Sequence, residues 1–280
     1  MATARNDIIN TVSGSPGRGP SPGGCDPHEG VAPDGTITTG ARRDRVPLAF
    51  EPVLREVISS VSPTGASLYL YGSVATGTAR VGVSDVDLLS LDLSEAAVLG
   101  ERLSGLFSDL CRGVEIAAAA SADFLGDGDQ AYGNRVFLRH YCVHLAGPER
   151  ADAAERYPAD ARAARGFNGD LDRHLERWRH HHESTDVTAS ALGRRIGRKT
   201  LLAVAGMVSV HDRTWTTDRS VAADRWSQIQ PELGPGLAEL YDWATGIHHA
   251  SHAEIASVLD DSGLIPAIVD RFAALIGLWR

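Results

Sequence analysis

LYLYGSVATGTARVGVSDVDLLSLDL, residues 68–93, is the stretch on which the reading of this chain turns. An apolar run from Leu68 to Tyr71 stops at Gly72-Ser73. A Gly- and Thr-rich loop follows, and a second apolar run opens on Asp85-Val86-Asp87. Residues two apart on a strand project to the same face, so Asp85 and Asp87 aim two anionic groups at one point. Two carboxylates that close repel unless a cation lies between them. Such a pair beside a Gly-Ser loop points to Mg²⁺ carrying a nucleoside triphosphate.

On the N-terminal side, Phe50, Val53, Leu54, Val57, Ile58 and Val61 follow helical spacing, and Pro63 and Gly65 end that helix. Residues 1–44 are dense in Gly, Pro, Ser, Thr and Asp, and read as a disordered tail. On the C-terminal side, Ser94-Glu95 opens a helix whose apolar positions are Ala97, Val98, Leu103, Leu106, Phe107 and Leu110, broken at Gly113. VEIAAAA, 114–120, reads as a third strand, although its alanines also suit a helix. RVFLRHYCVHL, 135–145, reads as a fourth, closed by Gly147-Pro148. From about Asp152 alternation disappears and helical patterning takes over, over 152–182, 186–210, 220–228, 235–249 and 251–277. The expected architecture is α+β: a tail over 1–44, a small mixed sheet with flanking helices over 45–150, and an all-α bundle over 151–280.

Composition narrows the partners. The 280-residue chain is 43% hydrophobic and carries a formal charge of −9. An acidic surface argues against a nucleic acid partner and favours a cationic one. Cys25, Cys111 and Cys142 show no metal-type spacing and fit a reducing, cytoplasmic setting. No signal peptide and no membrane-spanning run is expected.

The order helix, strand, Gly-Ser loop, Asp-x-Asp strand, helix, acidic strand resembles the nucleotidyltransferase superfamily, whose signature here is Tyr71-Gly72-Ser73 followed by Ser84-Asp85-Val86-Asp87. Over roughly residues 46–280 the chain looks most like the aminoglycoside adenylyltransferases that modify streptomycin and spectinomycin. The segments His144–Arg150, Arg198–Leu202 and Arg219–Trp226 carry that closer likeness. The resemblance implies ATP as co-substrate, Asp85 and Asp87 as Mg²⁺ ligands and Glu115 as third carboxylate and general base. It implies Gly72, Ser73, Ser84 and Arg219 in nucleotide binding, and AMP transfer to a hydroxyl of a small, aminoglycoside-like, cationic acceptor. Arg219 stands where that family has a lysine, and Gly206 where it has an arginine, so Arg194, Arg195, Arg198 or Lys199 would have to compensate. The long N-terminal tail is not a feature of that family.

Bland readings compete. Ser73 and Ser84 suit a turn and a cap, Arg219 a solvated helix start, and His180-His181-His182 an exposed helix end, since adjacent helical residues diverge. Three other readings compete with a drug-modifying enzyme: a regulatory nucleotidyltransferase of toxin–antitoxin type acting on a protein or RNA end, a catalytically silent nucleotide-binding module, and a glycosyltransferase, against which the Gly-Ser loop directly after a first strand argues.

Overall fold

The computed structural model describes residues 26–152, 154–184 and 187–280; Cys25 and most of the expected tail lie outside them. The chain opens with a short antiparallel hairpin, β1 (Gly30–Val31) and β2 (Ile37–Thr38). Helix α1 (Glu51–Val61) buries Val53, Leu54, Val57 and Val61 on one stripe, as its spacing requires. Strand β3 (Ser67–Tyr71) leads into a one-turn helix α2 (Gly72–Thr76), and β4 (Val86–Leu91) follows. Helix α3 (Ala96–Leu106) crosses to β5 (Val114–Ala119); helix α4 (Asp129–Tyr141) then precedes β6 (Val143–Ala146). The sheet order is β5-β4-β3-β6, with β4 and β5 parallel and β3 antiparallel to both β4 and β6.

β3 is buried along its whole length, so both faces of the sheet are covered. Leu68, Leu70, Val86 and Leu88 face α1 and α3 with Val53, Leu54, Val57 and Leu103. Tyr69, Tyr71, Leu89, Leu91 and Ala117 face the other way, into the larger apolar cluster that continues through α4 into the helical half. That half comprises α5 (Ala161–Asn168), α6 (Leu171–Glu183), α7 (Ala189–Asp212), α8 (Arg219–Ile229), α9 (Gly234–Thr245), α10 (His252–Leu259) and α11 (Leu264–Leu275). Among the described residues, no helix is long and apolar enough to cross a membrane.

Four expectations change. Residues 135–141 are helical, and only 143–146 form the fourth strand. Tyr132, Val136 and Phe137 are buried at helical spacing on α4, a pattern that the alternation of 135–145 hides. The single helix expected over 152–182 starts at Ala161 and breaks at Gly169, and the one over 251–277 breaks at Asp260–Gly263. Val98 and Leu106, counted in the apolar stripe of α3, are exposed. Residues 26–44 are built into the fold: Ile37 is buried, its amide donates to the Tyr157 carbonyl at 3.1 Å, and the Arg42 amide donates to the Ala75 carbonyl at 3.0 Å.

Helices α4 and α5 meet backbone to backbone. A Cβ at Gly133 would sit 2.3 Å from the Gly166 carbonyl oxygen, and one at Gly166 would sit 2.7 Å from the Gly133 Cα. Only glycine fits at either position.

Lys199, one of the basic residues weighed for triphosphate contact, is buried in the bundle. Its Nζ lies 2.7 Å from Asp170 Oδ1 and donates to the Phe167 carbonyl at 3.2 Å, while His174 Nε2 lies 3.1 Å from Asp170 Oδ2. Lys199 and His174 hold the Asp170 carboxyl well below the usual carboxylate range, against the opposing effect of burial. Removing one partner of a buried pair strands the other charge. Lys199→Met should therefore cost about 3–5 kcal/mol in urea denaturation. Arg195→Ala, at an exposed position of the same helix, should change stability by no more than about 0.5 kcal/mol.

Candidate active site

The register of two strands assembles the acidic centre. Asp87 on β4 is the direct parallel partner of Glu115 on β5, and Tyr71 is its antiparallel partner on β3. Asp87 shares its face with Leu89 and Leu91, and Glu115 shares its face with Ala117. Both acids therefore stand on the side of the sheet that the helical half covers. Asp85, two residues before Asp87, is buried at the strand entrance.

Gly72 is required by this arrangement. Its φ is +71°, in the left-handed region, and a Cβ there would lie 2.4 Å from Asp87 Oδ2. The turn that ends β3 thus packs its bare backbone against the carboxylate. The Ser73 carbonyl then accepts from the Thr78 and Ala79 amides at 2.9 and 3.1 Å, closing the loop.

Each acid meets a different environment. Asp85 is gripped by Arg112, with Nε donating to Oδ1 at 3.0 Å and Nη2 to Oδ2. The backbone explains the meeting: the Arg112 amide donates to the Ser84 carbonyl at 3.1 Å, and the Val86 amide to the Gly113 carbonyl at 2.9 Å. Asp87 has its pKa pushed up to about 8, first by burial and then by the negative charges of Glu115 and Asp85; Arg112 and Arg198 pull the other way. Arg198, on α7, lies in the field of Glu115 and Asp85, and burial beside Arg194 lowers its pKa.

The sequence-picked residues divide accordingly. The structure brings Gly72, Asp85, Asp87 and Glu115 together, with Ser73 in the adjoining turn. The Ser84 hydroxyl is spent inside the loop, accepting from the Arg80 amide at 2.9 Å, which matches its cap reading. Arg219 opens α8, and its Nε donates to the Arg198 carbonyl at 3.1 Å. Burial and the Arg198 charge lower its pKa to about 10. Arg198 Nε donates to the Ala244 carbonyl at 3.3 Å, and the Arg219 bond holds the main chain at Arg198. Arg112 was missed; its place three residues before Glu115, at the mouth of a strand parallel to β4, is the signal that could have found it.

Among the described residues, no group of three or more His, Cys, Asp or Glu side chains stands arranged to hold a metal ion. Arg112 takes up the Asp85 oxygens. The donor chemistry nevertheless fits a hard divalent cation. The site is all oxygen, and Asp87 is so short of compensating charge that its proton is held to about pH 8. Elsewhere, an open cavity of about 630 Å³ lies among α9, α10 and α11, lined in part by Glu239, Asp260 and Leu264.

Residues 52–91 match the family model described as a nucleotidyltransferase domain. The match runs from α1 to the end of β4, and so includes the Gly72-Ser73 turn, Asp85 and Asp87 but not Glu115 or the helical half. It supports a nucleotidyltransferase, an enzyme with a nucleotide as substrate. No curated protein matches the chain.

A carboxyl whose folded pKa lies above its unfolded value favours the folded state at low pH, and that contribution is lost as pH rises through the folded pKa. For Asp87 the loss falls between about pH 4, the unfolded value, and about pH 8. Thermal melts without divalent cation should show Asp87→Asn gaining stability relative to wild type as pH rises from 5 to 9. A constant difference across that range would contradict the burial and crowding of Asp87.

Proposed function

We propose that this chain transfers AMP from ATP to a hydroxyl of a small, cationic molecule of the aminoglycoside kind, in a Mg²⁺-dependent reaction. The observation that carries this reading is the register pairing of Asp87 with Glu115 beside the bare backbone of Gly72, with Arg198 of the helical half in the field of Glu115. Asp85 and Asp87 would hold Mg²⁺, with Glu115 next to them. The cation would neutralise charge on the α-phosphate and the pyrophosphate leaving group.

The chain's own groups do the rest. The Gly72-Ser73 turn gives phosphate oxygens a close approach, because no side chain stands on Gly72. Arg198, half-buried and in the field of Glu115 and Asp85, is a cation suited to a triphosphate tail. Arg219 holds the Arg198 segment by its bond to the Arg198 carbonyl. Glu115 takes the proton of the attacking hydroxyl, which then displaces pyrophosphate from the α-phosphorus in line. The junction of sheet and bundle is where an acceptor would lie, as ligand sites favour such junctions. The chain's acidic balance suits a cationic one.

Incubation with ATP, Mg²⁺ and a panel of aminoglycosides and other hydroxyl compounds, followed by mass spectrometry, tests the reaction. Gain of one AMP on a panel member supports the reading. AMP on a protein or RNA end instead would place the chain with the regulatory transferases. Glu115→Gln should cut turnover by about 10²–10⁴-fold with ATP affinity largely kept. Collapse of ATP·Mg²⁺ affinity would make Glu115 a metal ligand first.

The two arginines should separate in titration calorimetry. Arg198→Ala should weaken ATP by about one to two orders of magnitude with every acceptor, the worth of a hydrogen bond to a charged group. Arg219→Lys keeps the charge but loses the fork at Nε, and should weaken ATP less than Arg198→Ala does. Equal wild-type affinity in both variants would remove the bundle from nucleotide binding.

A further inference from the structure

The N-terminal segment touches both sides of this site. At one end, the Glu29 carboxylate sits among donors from the helical half. Thr217 donates to it through its amide and its hydroxyl, both at 2.7 Å, and the Thr216 hydroxyl does so at 3.4 Å. The Tyr141 hydroxyl donates to Glu29 Oε1 at 2.6 Å, and in turn accepts from Trp215 Nε1 at 2.7 Å. At the other end, the Arg42 amide donates to the Ala75 carbonyl in α2, the helix that starts at Gly72. A Cβ at Gly77 would lie 2.8 Å from the Arg45 carbonyl oxygen, so the segment runs tight against the end of that turn.

Between these ends the segment is held along its length. The Thr39 hydroxyl donates to the His140 carbonyl, and the Gly40 amide to Asp26 at 2.6 Å. Thr36 bridges to Pro158, and Ile37, on β2 of the hairpin, is buried. Secured at so many points, the segment has little slack to change its end-to-end distance.

What its ends hold is the two walls of the nucleotide site. Thr216 and Thr217 precede Asp218, which caps α8 by accepting from the Ser220 and Val221 amides at 2.8 and 2.9 Å. Arg219 comes next and braces the Arg198 carbonyl. We infer that residues 26–45 form a tie that sets the spacing between the Gly72-Ser73 turn and the Arg198–Arg219 pair, with Glu29 as its positioning residue. The inference rests on the nucleotide site proposed above. Glu29 reaches that site only through Thr217 and the start of α8.

Glu29→Gln in the full chain tests this. The amide replaces one anionic acceptor with a donor that faces the donors of Thr217 and Tyr141. The Kd of ATP with Mg²⁺ should rise about tenfold or more, as expected for hydrogen bonds to a charged group. Turnover at saturating ATP should stay within about twofold of wild type. Hydrogen exchange should speed up over 214–221 and remain unchanged over 86–91 in the sheet. Thr217→Ala and Tyr141→Phe each remove a single donor; they should move ATP affinity the same way by less, and they serve if Glu29→Gln fails to fold. Wild-type ATP affinity in a folded Glu29→Gln chain, or a fall in turnover with affinity unchanged, overturns the tie while leaving the transferase reading intact. A wild-type chain that binds no nucleoside triphosphate overturns both.

Discussion

Negative charge held together on one sheet face is the condition to which the rest of the fold responds. Asp85, Asp87 and Glu115 are brought close by strand parity and by a parallel register that leaves them no freedom to move apart. The protein meets the repulsion in three separate ways. Arg112 neutralises Asp85 with a two-point grip. Burial and its acidic neighbours push the Asp87 pKa up to about 8. Arg198 brings a second positive charge from the helical half. None of these arrangements serves the apolar core, which would be simpler without the acids. Crowded carboxylates of this kind are the pattern that functional sites share, and the transfer proposed above would use them.

The helical half contributes to the field at this centre. Its longest helix, α7, carries Arg198 one residue before Lys199, and the two basic side chains take opposite courses. Lys199 turns inward to Asp170 and anchors the bundle, while Arg198 lies in the field of the strand acids. Successive positions on a helix diverge by about 100°, so a single basic pair can serve stability with one member and the site with the other.

Much of this was legible in the sequence, for reasons that can be traced to particular residues. Strand alternation disclosed β3 and β4 and put Asp85 and Asp87 on one face. The family resemblance singled out Glu115, which the structure sets beside Asp87. What escaped depends on distant partners. Arg112 meets Asp85 because two backbones pair across 27 residues of chain, so its place at the mouth of β5 becomes a signal only once β5 is paired with β4. Arg135–Tyr141 alternates like a strand, yet it packs as a helix because Tyr132, Val136 and Phe137 find the bundle on one side. The polar, Gly-rich segment over 26–44 was read as structureless because its order comes from donors on Thr217, Tyr141 and Thr216, far along the chain. Composition describes what a segment can bury by itself and is silent on what others offer it.

The glycine crossing of α4 and α5 bears on how such a molecule can breathe. Packed helices glide past one another when side chains at their contact swap from one set of grooves to the next. At Gly133 and Gly166 there are no side chains to swap, and the two main chains already touch. Sliding would drive carbonyl into Cα, so this contact acts as a fulcrum. Any opening between the sheet and the helices beyond it must be a rotation about that point, with the largest travel at the positions farthest from it.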